Sequence, residues 1–337
     1  MTTVLPAHRT TLGVVCCLGS AAGFGLGPIF AKGAYALGAT VPVALAGRFT
    51  MAAALLWLLV LLRARRTGRR PTLGPSRVLL TVVGLGAVGY AAQAAFYYGS
   101  LTRVDASLAA LLVYVYPGLV VLLALFLGRE RPTRRRLTAL ACSALGLVLL
   151  LGSAGTGPVD GPGVLLVLGA AVCYSLYLTV TAGLPPDLDP VLVAAVITTA
   201  AAGTLITLGA ASGTLHAPRP SAWLWLLGLA VVATVVPIAA LYVGIRSLGA
   251  PTAAILSCVE PAVAVLSAAV FYGERLTPVQ FLGGAIVLTA VAVLQLRRRR
   301  PPSAASAPAP ELVPVGECRG RESRSDGHAT DRAPSGR

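Results

Sequence analysis

The stretch ILSCVEPAVAVLSAAVFYGERLT, residues 255–277, sets Glu260 directly before Pro261 inside an otherwise apolar run. Upstream, LLVYVYPGLVVLLALFLGRERPT, residues 111–133, follows the same plan. Pro117 falls on Pro261, Glu130 on Glu274, Arg131 on Arg275 and Thr133 on Thr277, all at an offset of 144. One residue of slippage pairs Tyr97 and Gly99 with Tyr242 and Gly244. The chain is therefore two copies of one unit, and this repetition outranks any single motif in deciding the fold.

Working outward, the 337 residues are 56% apolar and only 12% charged, against roughly 25% charged in soluble domains. Apolar runs of about 20 residues, enough to cross about 30 Å of hydrocarbon, recur along the chain. Ten spans are expected, at 11–31, 41–62, 78–99, 106–127, 135–152, 162–183, 190–211, 222–244, 250–272 and 278–296. The first leads into GFGLGPIF without a small-residue cleavage site and reads as a retained helix. The fold class is an all-α polytopic membrane protein of ten transmembrane helices. A short N-terminus (1–10) precedes one five-helix repeat (11–152) and a second (153–296), and a basic, Pro- and Ser-rich tail (297–337) lacks the apolar content to pack and is expected to be disordered.

The formal charge of +15 is a topology signal. Six arginines lie between spans two and three and five between spans four and five, and RRRR follows the last span at 297–300. Basic residues concentrate in cytoplasmic loops, so both termini are expected in the cytoplasm of a cell-membrane protein. The opposite face receives Lys32, Arg103, Arg219 and Arg275. Five spans per half means that the second copy enters from the other side, as in inverted-repeat transporters. The arginines agree: RERPTRRR in the first half becomes GERLTPVQ in the second. No basic stripe with interleaved aromatics points to nucleic acid. Such repeats usually hold a midplane site opened to each face in turn.

YYGSLTRVDASLAALLVYVYPGLVVLLALFLGRERPT, its echo in YVGIRSLGAPTAAILSCVEPAVAVLSAAVFYGERLT, and GPIFAKGAYALGATVPVALAGRF resemble the EamA-type members of the drug/metabolite transporter superfamily over about residues 11–296. The likeness lies in the tandem halves, Pro117 and Pro261, the span ends at Glu130 and Glu274, and Arg48. It implies ten helices around a central cavity and transport of a small metabolite or drug-like compound, with export expected over uptake. The first half has Tyr116 where many relatives carry a glutamate before the proline. A mechanism needing two symmetry-related carboxylates lacks one of them here.

Inside the spans, Glu260 lies about 15 Å along span nine, at the bilayer centre. A carboxylate there faces protein or a wet cavity, not lipid. It is either a substrate or coupling-proton site or a structural partner for a buried donor. Ser257 and Ser267 share its face, and Pro261 frees the Ser257 carbonyl and bends the helix. Pro28 and Pro117 are the corresponding kink candidates. Arg48, the one basic residue well inside a span, either pairs with Glu260 or an anion or snorkels outward. Tyr90, Gln93 and Tyr97 share one face of span three, and Tyr174, Tyr177 and Thr181 one face of span six. Each trio lines a cavity or packs, and Tyr116 occupies the repeat position of Glu260. Gly19, Gly23 and Gly27 form a small-residue face for close packing or gating, while Glu130 and Glu274 suit capping or loop pairing.

An embedded enzyme has little to work with. The three histidines all lie outside the spans, no aspartate lies within one, and the only lysine is Lys32. No metal site, cofactor or disulfide framework is expected, since none of the six cysteines forms a CxxC pair. The expected partners are a small-molecule substrate, the lipid bilayer and a coupling proton. A channel or a non-transporting membrane protein is the competing class.

Overall fold

The structure, a computed structural model, describes residues 7–68, 72–128, 133–152, 160–185, 187–248 and 250–295. The tail, Glu130 and Arg131 lie outside the described residues. Described secondary structure is entirely helical. α1 (Ala7–Gly25) and α2 (Gly27–Ala36) are followed by α3 (Val41–Thr67). α4 (Ser76–Gly84) runs through a π-helical turn, Leu85–Tyr90, into α5 (Ala91–Ser100). α6 (Ala106–Val113), α7 (Tyr116–Phe126) and α8 (Arg134–Gly152) complete the first half.

The second half comprises α9 (Gly161–Thr181), α10 (Pro190–Ala211) and α11 (Ala222–Ala230), the last passing through a second π-helical turn, Val231–Val235, into α12 (Val236–Leu248). α13 (Ala250–Ser257), α14 (Glu260–Tyr272) and α15 (Pro278–Gln295) close it. Local chemistry sets several starts. The Asp160 side chain accepts from the Gly163 N–H at 3.1 Å, and Asp189 accepts from Val191 at 2.8 Å, each with a proline in the first turn.

Seven helices are long and apolar enough to cross a membrane, and three shorter apolar ones accompany them: Leu137–Leu150, Glu260–Tyr272 and Pro278–Val293. Expected span nine is broken, with α13 and α14 separated by a turn at Cys258 and Val259. Large side chains such as Leu80, Leu224 and Val270 stand exposed. In water this would be a severe liability, and in hydrocarbon it is the expected outer surface.

The repeat is visible in the packing. α1 lies along α12 and α5 along α9, while α3 pairs with α10 and α8 with α15. Each pair joins the two halves, and exchanging the halves maps the set onto itself. The irregularities repeat too. Both π-helical turns fall in the third span of a half, and both fourth spans are broken immediately before a proline.

One interface departs from this symmetry. α6 and α14 pack together, whereas their exchange partners, α13 and α7, have no comparable contact among the described residues. α6 and α14 thus draw the bundle together at the end carrying Lys32 and Glu274.

Candidate functional site

The break in span nine decides how Glu260 is presented. Pro261 sits in the first turn of α14, where a missing N–H costs nothing. Glu260 becomes the first residue of that helix, at the end whose dipole favours negative charge. The Ser257 carbonyl, deprived of a donor by Pro261, accepts the Tyr114 hydroxyl at 3.3 Å. Ser257 itself turns away, its hydroxyl donating to the Ala253 carbonyl at 3.0 Å.

Span four repeats this geometry with different side chains. α6 ends at Val113, Tyr114 and Val115 bridge the gap, and Tyr116 starts α7 ahead of Pro117. A run of rings then crosses the bundle. Tyr114 and Tyr116 lie 5.7 Å apart, Tyr116 and Tyr174 4.6 Å, Tyr174 and Tyr177 5.9 Å, Tyr177 and Tyr90 5.6 Å, and Tyr90 and Phe49 5.2 Å between centroids. Such pairs contribute about 0.5–1.5 kcal/mol each beyond burial, so the run is a stiff wall. Tyr116, Tyr174, Tyr177 and Glu260 remain only half-buried at mid-span depth, facing one another from α7, α9 and α14.

Arg48 stands at the far end of that wall, one residue from Phe49. It does not snorkel, being 5% exposed. Its Nε donates to Thr234 Oγ1 at 2.9 Å, and its guanidinium lies 4.8 Å from the Tyr98 ring centroid and 5.2 Å from that of Phe49. Thr234 belongs to the second π-helical turn, and its hydroxyl donates in turn to the Leu229 carbonyl at 2.8 Å. Widened turns of this kind recur at functional sites because they redirect side chains. The Arg48–Glu260 pair, one of the alternatives left open by the sequence, is not formed, and among the described residues no carboxylate pairs with Arg48. Among the described residues, rings and a hydroxyl hold this buried cation.

The remaining candidates are placed as follows. Tyr97 packs edge-on to Tyr98 at 5.4 Å, and Gln93 is half-buried and makes no hydrogen bond among the described residues. Gly23 meets the Pro237 ring closely, whereas Gly19 has open space, so the glycine face is not uniform. Gly25 is required where α1 passes the break, since a Cβ there would lie 2.6 Å from the Glu260 carbonyl oxygen. Pro28 falls in the first turn of α2 after an interruption at Leu26. Tyr114, Tyr98, Phe49 and Thr234 escaped the sequence reading. Tyr114 had a usable signal, standing two residues before Tyr116, whereas the others are recognisable only from packing. No group of three or more potential metal-ligating His, Cys, Asp or Glu side chains exists among the described residues. A separate apolar cavity of about 170 Å³ between α7 and α9, lined by Leu119, Leu122, Phe126 and Val172, carries no charge.

The model of the EamA-like transporter family matches residues 11–152 and 161–296. An uncharacterized transporter of Archaeoglobus fulgidus is 28% identical over 63% of this chain and 75% of its own length. The uncharacterized transporter YcbK of Bacillus subtilis is 26% identical over 85% and 91% respectively. The threonine/homoserine exporter RhtA of Escherichia coli is 30% identical over 61% of this chain and 66% of its own. A crystal structure at TM-score 0.54 and 22% identity, covering 86% of this chain and 99% of that one, shares the fold. With both halves matched, the chain belongs to the EamA-like transporter family and is a multi-pass membrane protein.

Proposed function

We propose that the chain is a gradient-driven exporter of the cell membrane, carrying a small amino-acid-like zwitterion by alternating access between two inverted halves. Glu260 takes the ammonium group or a coupling proton, and Arg48, farther along the tyrosine run, is a separate contact for the carboxylate on the transport path. The observation that carries this reading is the pairing of a mid-span carboxylate with a buried arginine lacking a counter-charge, at opposite ends of one aromatic run. Intramembrane ionisable groups of this kind mark substrate and proton paths. The RhtA resemblance supports the substrate class, and clustered arginines support cytoplasmic termini. The packed arginine-poor end supports reading that end as the closed, external one.

The test is counterflow in vesicles preloaded with candidate amino acids such as threonine and homoserine. Saturable, trans-stimulated flux in the intact protein that Glu260→Gln abolishes is the expected result. Flux without trans-stimulation points to a channel, and unchanged flux and pH profile in Glu260→Gln remove the site assignment.

A further inference from the structure

Two residues beyond α14, at the arginine-poor end, Glu274 is enclosed by donors from three directions. Lys32 Nζ of α2 approaches Oε1 at 2.7 Å, and the Ala106 N–H reaches the same oxygen at 3.1 Å. The Ser107 N–H and hydroxyl meet Oε2 at 2.9 and 2.8 Å. The side chain is 6% exposed and that of Lys32 19%. Tyr272 adds a tether, its ring 5.6 Å from Lys32 Nζ and its hydroxyl donating to the Ile29 carbonyl at 2.9 Å.

These contacts do more than cap a helix. α2 and α6 belong to the first half and Glu274 to the second, so the carboxylate bridges the halves. It does so at the α6–α14 interface, whose symmetry mate α7–α13 has no comparable contact among the described residues. All four donors therefore serve one arrangement of the bundle. When α6 and α14 part, Glu274 loses the three donors that α6 supplies.

We propose that Glu274, seated on the first turn of α6 and paired with Lys32, is the latch that holds the arginine-poor end of the transport path shut. The latch rests on the transport reading above. A group that binds one of two conformations shifts their populations by the difference in its interactions, so weakening the latch moves the bundle toward the state open at that end. Burying a carboxylate against an α-helix N-terminus uses the dipole and free N–H groups as an anion would. Lysine in that seat has nothing to accept from those N–H groups.

Cys258, in the turn before Glu260, serves as the reporter in a chain whose other five cysteines are replaced. A membrane-impermeant methanethiosulfonate reagent is applied, without substrate, from the face opposite the arginine clusters. Slow labelling is expected with Glu274 intact, and at least about fivefold faster labelling in Glu274→Gln and Lys32→Met. The exchanged pair, Lys32→Glu with Glu274→Lys, is expected to stay fast, because the α6 N–H groups remain unserved. Unchanged labelling in Glu274→Gln overturns the latch, and slow labelling in the exchanged pair reduces it to a plain ion pair. Ser107→Ala, which removes one donor of four, carries the test where Glu274→Gln fails to reach the membrane. An intermediate rise supports the proposal and an unchanged rate ends it. Faster labelling without counterflow keeps the latch and removes the transporter, whereas counterflow with unmoved labelling does the reverse.

Discussion

The two broken spans share a backbone and differ in chemistry. Each stops, turns through two residues and restarts one position before a proline. In the first, the restarting residue is Tyr116 and the turn holds Tyr114; in the second, the same places hold Glu260 and Cys258. The first contributes rings and the second a charge, and they meet where the Tyr114 hydroxyl donates to the Ser257 carbonyl. Symmetry supplies two matching interruptions, while divergence of a few side chains sets rings in one and a carboxylate in the other.

The largest test of this division is Glu260→Gln. Hydrogen bonds to charged groups are worth about 1.5–3 kcal/mol, so flux is expected to fall roughly 10- to 150-fold at each substrate concentration below saturation, with membrane abundance preserved. Arg48→Lys comes next. Lysine cannot reproduce the fork that lies over Phe49 and Tyr98 while donating to Thr234, and a loss of about tenfold in affinity for carboxylate-bearing substrates is expected, read by competition binding. Affinity within twofold of the parent protein would make Arg48 a helix anchor and leave Glu260 as the only charged contact.

Acidity probes the latch. Burial alone would raise the Glu274 carboxyl, but Lys32, the Ser107 N–H and hydroxyl and the Ala106 N–H outweigh it and hold the group below its usual range. A carboxylate lowered in the closed state favours closure above its open-state value, and that preference is lost as pH falls through the closed-state value. Lys32 and Tyr272 face it, with Asp105 and Arg275 at the adjoining chain positions. Corrected for the loss of thiolate, the reactive species, as pH falls, Cys258 labelling from the arginine-poor face is therefore expected to stay flat from about pH 8 to 5 and to rise below about pH 4.3, the ordinary glutamate value. Glu274→Gln should remove the pH step, and a step that survives in that variant belongs to another group. The smallest effect is expected of Tyr116→Phe, which keeps the ring against Tyr174 and changes flux less than about threefold, whereas Tyr116→Ala opens the wall and costs more.

Much of this architecture was legible in the sequence. Apolar length marked the helices, and the proline offset marked the repeat. Pro117 and Pro261 pointed to bends that the structure makes into full interruptions. The site was legible in part, because Glu260, Tyr116, Tyr174 and Tyr177 are conspicuous in apolar runs. Their convergence was not, since periodicity gives the face of one helix and says nothing about the face opposite. Arg48 illustrates the limit: its depth left snorkelling open, and only Thr234, 186 residues away, and the covering rings fix it inside. Glu274 read as a cap or a loop partner, and it is both, with Lys32 242 residues distant.

The latch also sets what a compound arriving from the arginine-poor side would measure. A ligand that needs a minority conformation binds with its intrinsic Kd divided by the fraction of molecules in that conformation. Each 1.4 kcal/mol by which closure is favoured then weakens apparent affinity tenfold, although the contacts with Glu260, Arg48 and the tyrosines are the same from either side. An external competitor would thus look feeble and an internal one potent, and weakening the seat of Glu274 on α6 would bring the two values together without altering a single residue that touches the ligand.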